Sequence, residues 1–175
     1  MCMLRRNALI RLEERTGIKP PHKMTTAELA DAAGRDRGSR LQQELLELGQ
    51  RKGPDVLTGL LAAAGGADKD GRQTALDLMT SHIAGQGIEF TQKELKDDRA
   101  DARRSAARAA AKYPSLIGDL VPLLGDPEGD VAAAAHQSLT KASGGQDFGP
   151  DSMTTADIEA AQKKWQAWWD KERGK

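Results

Sequence analysis

Few residues of this chain have types and spacing that could carry chemistry. The histidines are His22, His82 and His136. No HxxxH or HExxH spacing joins them, so a zinc site of that kind has no support and no metal is expected. His22 follows two prolines in a loop, while His82 and His136 lie on or beside apolar helical stripes where a packing role is expected. Cys2 is the single cysteine, which excludes an internal disulfide framework and a cysteine-rich zinc site. Without a histidine partner in view it is not expected to act as a nucleophile. Asp68-Lys-Asp70-Gly71 can be laid on a calcium loop that also uses Asp77. Gly66 would then hold the first ligand position, and a short aspartate the last, where a bidentate glutamate is usual. A helix N-cap turn explains the same residues. Gly65-Gly66 and Gly144-Gly145 lack the strand and helix that frame a phosphate loop. No catalytic residue, no cofactor and no enzymatic activity are expected.

The remaining concentration of charge is Arg104, Arg108 and Lys112, spaced i, i+4, i+8, with Arg99 and Arg103 nearby. Such a stripe could meet phosphates or acidic side chains. A continuous basic track would need like charges at the equivalent places on either side. Those places hold Gln73, Asp77 and Ser81 before it, and Ala133, Gln137 and Lys141 after it. The chain balances 26 Lys and Arg against 26 Asp and Glu, which disfavours a nucleic-acid binder and a polybasic membrane module. Three readings remain open for the stripe: an ordinary solvated helix face, a protein-binding patch of Arg104, Arg108, Lys112, Gln137 and Lys141, or, least favoured, a nucleic-acid contact. No apolar run approaches the roughly 20 residues that span a bilayer. Arg11, Glu13, Glu14 and Arg15 interrupt any secretory apolar region after Arg5 and Arg6. A cytoplasmic monomer of a reducing compartment is expected.

Those residues must be positioned by helices, because no alternating run long enough for a strand exists. Leu4 to Arg15 carries Leu4, Ala8, Leu9 and Leu12 on one face, and Gly17, Pro20 and Pro21 stop it. Thr25 or Thr26 can cap a second, short helix, with Glu28 placed for a capping box and an end near Gly34. Ser39 to Arg51 aligns Leu41, Leu45 and Leu48, and Gly53-Pro54 terminates it.

From Pro54 a period emerges. Gly71, Thr74, Ala75, Leu78, Met79 and His82 form one helical stripe. Ala102, Ser105, Ala106, Ala109, Ala110 and Tyr113 repeat it 31 positions later, and Val131, Ala134, Ala135, Ser138, Leu139 and Ala142 repeat it 29 positions after that. Asp70, Asp101 and Asp130 immediately precede the stripes and are expected to cap the helices. The preceding segments correspond too: Leu57 with Ile88 and Ile117, Ala64 with Leu95 and Leu124, Leu60 with Leu120. Thr91 stands in that last place in the middle copy. Each unit is expected to be a leucine-bearing first helix, an acidic turn and an alanine-rich second helix. Two-helix units repeating at about 30 residues predict an all-α fold, a short α-solenoid of antiparallel hairpins with helical caps at both ends. The expected divisions are an N-terminal cap over 1–53, repeats over 54–84, 87–113 and 115–143, and a closing segment over 144–175.

Met24-Thr-Thr-Ala-Glu-Leu is echoed by Met153-Thr-Thr-Ala-Asp-Ile, each after a loop with glycine and proline. This suggests one closing device used twice, a capped helix folded over the apolar face of an end repeat. In the second copy Trp165, Trp168 and Trp169 share a face at i, i+3, i+4, with Phe148 in the loop before them. A hydrophobic plug is expected there, an aromatic ligand or peptide site being the alternative.

These features resemble HEAT repeats, in particular the short bacterial kind of PBS-lyase type, over about half the chain from Pro54 to Ala142. In that family an aspartate in the turn and an arginine six positions on form a ladder between neighbouring repeats. Asp97 and Arg103 match the pair, Gly66 and Arg72 keep only the arginine, and Asp126 and Ala132 keep only the aspartate. The resemblance implies that Arg72 and Arg103 reach for Asp97 and Asp126 in turn. It also implies a non-catalytic scaffold that recognises another protein through the surface of the second helices. Two alternatives follow from the same family. One is a DNA-binding protein or alkylpurine DNA glycosylase, for which Tyr113 and Asp77 would be the candidate aromatic and acid. The other is a purely structural piece of a longer array.

Overall fold

The computed structural model describes residues 19–53 and 55–174. Cys2, the expected helix from Leu4 to Arg15, Gly17 and Pro54 lie outside the described residues. Among the described residues the chain is all helical, with no strand. In order come α1 (Thr26–Arg35), α2 (Gly38–Gln50), α3 (Asp55–Gly66), α4 (Lys69–Gln86), α5 (Ile88–Glu94), α6 (Ala100–Ala110), α7 (Ile117–Leu120), α8 (Gly129–Ala142) and α9 (Thr155–Glu172). Short 3₁₀ turns occupy Pro21–Lys23, Pro114–Leu116 and Val121–Gly125. No described helix is long and apolar enough to cross a membrane. The helices gather into two compact units that divide between Ala75 and Leu76, inside α4.

In the first unit α1 begins on the expected capping box. Thr25 Oγ1 accepts from the Glu28 amide at 3.2 Å, and Glu28 Oε2 accepts from the Thr25 amide at 2.6 Å. Two orphan donors of the helix start are thereby satisfied. The core comes from one stripe of each helix: Leu29, Ala32 and Ala33; Leu41, Leu45 and Leu48; Val56, Leu57, Leu60, Ala63 and Ala64. Small residues let α1 and α3 approach closely. A Cβ on Gly66 would stand 2.1 Å from the backbone oxygen of Gly34, whereas one on Gly65 would meet open space. Gly66→Ala is therefore expected to destabilise the chain by about 1–3 kcal/mol. Gly65→Ala should be neutral, or stabilising by up to about 1 kcal/mol, because alanine favours a helix interior. Urea unfolding of the two variants checks the contrast, and equal midpoints would refute it.

In the second unit the later half of α4 lies along α6. Ser105 Oγ donates to the Leu76 carbonyl, and Tyr113 Oη donates to the Ala84 carbonyl at 2.8 Å. The partners advance by eight residues along both segments, from Leu76 to Ala84 in α4 and from Ser105 in α6 to Tyr113 just beyond it, so the two run parallel. α6 packs in turn against α8, and α5 against α6. Buried positions include the stripe residues Met79, Ala102, Ala106, Ala109, Ala110, Val131, Ala135 and Leu139. Leu76, Ile83, Ala107 and Ala132, which flank the stripes, are also buried, because these helices have neighbours beside them as well as beneath. Thr91 fills its leucine place by bonding backward. Its hydroxyl donates to the Gly87 carbonyl at 2.8 Å, so a polar atom is buried with its partner.

Two local expectations are corrected. Asp101 and Asp130 stand inside the first turns of α6 and α8, where a helical backbone does not aim the side chain at the free amides. The N-cap residues are Arg99 and Glu128, and neither makes a side-chain cap bond. Their own amides instead donate to Asp97 and Asp126, at 2.8 and 2.9 Å. At α4 the task falls to Asp68, whose Oδ1 accepts from the Gly71 amide at 2.8 Å. Second, the segment from Leu116 to Gly125, expected to form a single first helix of a hairpin, is not one helix. Pro122 lacks a donor and cannot continue an α-helix, so α7 is four residues long and gives way to 3₁₀ turns.

Candidate functional site

α6 is alanine-rich where it packs and carries its cations on the other side, as helical spacing dictates. Arg104 and Arg108 stand one turn apart on that outer side and are joined to carboxylates of the flanking helices. Arg104 Nη1 lies 3.2 Å from Asp130 Oδ2 of α8, and Arg108 Nη1 lies 2.7 Å from Asp77 Oδ1 of α4. Lys112, Gln137 and Lys141 are exposed. The surface expected to be a basic stripe is thus a field of mixed charge, with cations and anions alternating across three helices. Each of these pairs faces solvent and contributes about 0–1 kcal/mol, so their effect is to hold side chains in place more than to stabilise.

Of the ladder residues, Arg103 and Asp126 meet directly. Arg103 forms a two-pronged contact with Asp126, Nε to Oδ2 at 2.8 Å and Nη2 to Oδ1 at 3.0 Å. Its third nitrogen, Nη1, donates to the backbone oxygens of Asp97 and Asp98, both at 2.9 Å. Burial by itself would raise the Asp126 carboxyl; the Arg103 fork and the Glu128 amide outweigh it and hold the group below the usual range. Asp97 meets Arg103 through its backbone only. Its carboxylate is taken by Arg99, whose guanidinium holds it down at about 2. Arg72 belongs to the first unit, where its Nη1 donates to the Ala64 carbonyl at 3.3 Å.

At the C-terminal end the aromatic residues come together. Phe148 meets Trp165 edge-on at 4.8 Å between ring centres, and Trp165 meets Trp168 edge-on at 5.9 Å. Trp165 is fully buried, and its indole N–H donates to the Gly149 carbonyl at 3.1 Å. Trp169 packs over Gly118, where a Cβ would come within 3.1 Å of its nitrogen. Gln162 donates to the Val121 and Pro122 carbonyls, left over from the 3₁₀ turn. α9 starts on a Thr154 cap, whose Oγ1 accepts from the Asp157 amide at 3.3 Å, the counterpart of Thr25 and Glu28.

The residues first considered for chemistry are dispersed. His22 is exposed in a 3₁₀ turn, and His82 is half-buried against the edge of Phe90, its basicity lowered by burial. His136 Nε2 lies 2.7 Å from Asp147 Oδ1, tying the loop after α8 back to that helix. Among the described residues no three histidine, cysteine or acidic side chains gather as a metal site would require. Two features escaped the sequence reading. One is the cross-helix partner Asp130, whose role depends on which helices are neighbours. The other is Asp36-Arg40-Glu44, whose i, i+4, i+8 spacing was visible but in which the burial of Glu44 was not. No protein-family model matches the chain, and no characterised protein or solved structure is significantly similar to it.

Proposed function

We propose that this chain is a short α-solenoid of HEAT-like hairpins acting as a non-catalytic scaffold, and that it binds another protein across the face carried by its second helices. The observation that supports this reading is the lateral joining of α6, to α4 through Arg108 and Asp77 and to α8 through Arg104 and Asp130. Outward side chains on such neighbours make one broad surface instead of a pocket, and a surface of that kind selects partners by area and charge pattern. Alternating charges suit a protein with its own mixed pattern better than a phosphate backbone, which rewards a positive excess. Tyr113, the aromatic candidate of the DNA-repair alternative, has its hydroxyl committed to a backbone carbonyl. The preferred reading therefore remains protein recognition.

Charge reversal tests it. Arg104→Glu with Arg108→Glu, and separately Lys112→Glu with Lys141→Glu, should lower partner capture from native lysate about tenfold or more. Helicity by circular dichroism should be unchanged. A control pair on α9, Lys163→Glu with Lys164→Glu, should leave capture intact. Capture that survives both reversals on the second helices would overturn the assignment of this face.

A further inference from the structure

The first unit contains a carboxyl group in a setting that the scaffold reading does not use. Asp36, the residue that ends α1, and Arg40 and Glu44 of α2 follow one another four residues apart. Arg40 Nε lies 2.7 Å from Asp36 Oδ2 and 3.1 Å from Glu44 Oε1. Its Nη2 donates elsewhere, to the Lys19 carbonyl at 3.2 Å. One guanidinium thus serves two carboxyls that are not equally placed. Asp36 is a third exposed, but Glu44 is 0% exposed, on the same side of α2 as the buried Leu41, Leu45 and Leu48. Neither oxygen of Glu44 receives a hydrogen bond. Ionised, it would be a second negative charge beside Asp36, cut off from water and only half served by Arg40. Burying such a charge is costly, whereas the protonated acid is neutral and can donate to Asp36.

We propose that Glu44 is a proton-binding site that couples the packing of α2 to pH, so that the first unit is tight with the proton bound and loosens when it leaves. The other charged groups on the elements around α2 do not relieve it. Lys19 turns its ammonium to Glu28, Asp31 pairs with Arg35 on α1, and Glu47 pairs with Arg51. Asp55 of α3, His22 and Lys23 of the 3₁₀ turn, and Lys69 and Asp70 of α4 are exposed, while Arg72 bonds the Ala64 carbonyl. Burial, then the hydrogen bond and charge of Asp36, push the Glu44 carboxyl up to about 7, with Arg40 only partly opposing. The folded chain therefore holds this proton more tightly than the unfolded chain does. Stability is full below the ordinary glutamate range, is lost as pH rises toward about 7, and is level above it.

The test uses the full chain. Amide exchange over Leu41 to Leu48, corrected for the intrinsic pH dependence, should show protection falling about tenfold or more between pH 5.5 and 8.5. Glu44→Gln should remove that fall, and Asp36→Asn should move its midpoint to lower pH. Protection that is level in the unaltered chain, or a fall that persists in Glu44→Gln, would overturn the proposal. Should Glu44→Gln not fold, the carbon-13 shift of the Glu44 carboxyl in the unaltered chain decides. A midpoint of about 6 or higher supports the site, and one below about 6 refutes it.

Discussion

Trp165→Ala should cost about 3–5 kcal/mol, the largest loss expected of a single truncation in the second unit. Trp165 is fully buried, sits edge-on to both Phe148 and Trp168, and bonds the Gly149 carbonyl. Truncation removes the contacts of a large ring, leaves a void that its neighbours can fill only partly, and strands a buried carbonyl. The effect is also leveraged. α9 is held to the Val121–Gly125 turn by this face and by Gln162, so loosening the ring frees a whole helix from the end of the unit. Trp165→Phe keeps most of the apolar area but loses the indole donor, and should cost less than the alanine variant by at least about 1 kcal/mol. Trp168→Ala, at a half-buried position, should cost about 1–2 kcal/mol. Urea unfolding followed at 222 nm ranks the three. A loss under about 1 kcal/mol for Trp165→Ala would mean that α9 is not a structural closure.

The second large effect is expected at Arg103. Its fork on Asp126 is mostly buried, with the Asp126 side chain 4% exposed. Removing one member of such a pair costs about 3–5 kcal/mol, because the other charge is left without water or a partner. Arg103→Met should show that loss at pH 7, and the double variant Arg103→Met with Asp126→Asn should recover part of it. The sign of the pH dependence follows from the depressed Asp126 carboxyl. In the unaltered chain its contribution is present above the ordinary aspartate range and is lost as pH falls through the lower folded value. In Arg103→Met the stranded carboxyl can take up a proton, so the penalty should shrink below about pH 4. Equal stability of Arg103→Met and the unaltered chain at pH 7 would remove the fork as a support of the α6–α8 contact. This acid-side effect is separate from that of Glu44, which runs in the opposite sense and at higher pH.

Helices are local objects, and much of their placement is written in short stretches of this chain. The spacing of Ala102, Ala106, Ala109 and Ala110 commits one face of α6 to burial, and Thr25 with Glu28 marks where α1 must begin. The aromatic face of α9 is legible for the same reason, since i, i+3 and i+4 are neighbours on any helix. Pro122 shows a local rule prevailing over the leucine pattern around it, since the proline breaks the helix that the pattern predicts. Contacts between helices obey no such rule. Arg104 and Arg108 look like a basic stripe along α6; the repeat places Asp77 beside it and reads Asp130 as a cap, but that each arginine closes on one of these carboxylates is settled only by the packing of the helices. Glu44 interrupts the leucines of α2 in the sequence, yet it is buried along with Leu41, Leu45 and Leu48. Its burial is set by packing around α2, because solvent access is a property of everything around an atom and not of the segment that carries it. Periodicity and capping are short-range and additive, and so could be read from composition and order; charge pairing and desolvation are long-range, and came into being only once the helices had found their neighbours.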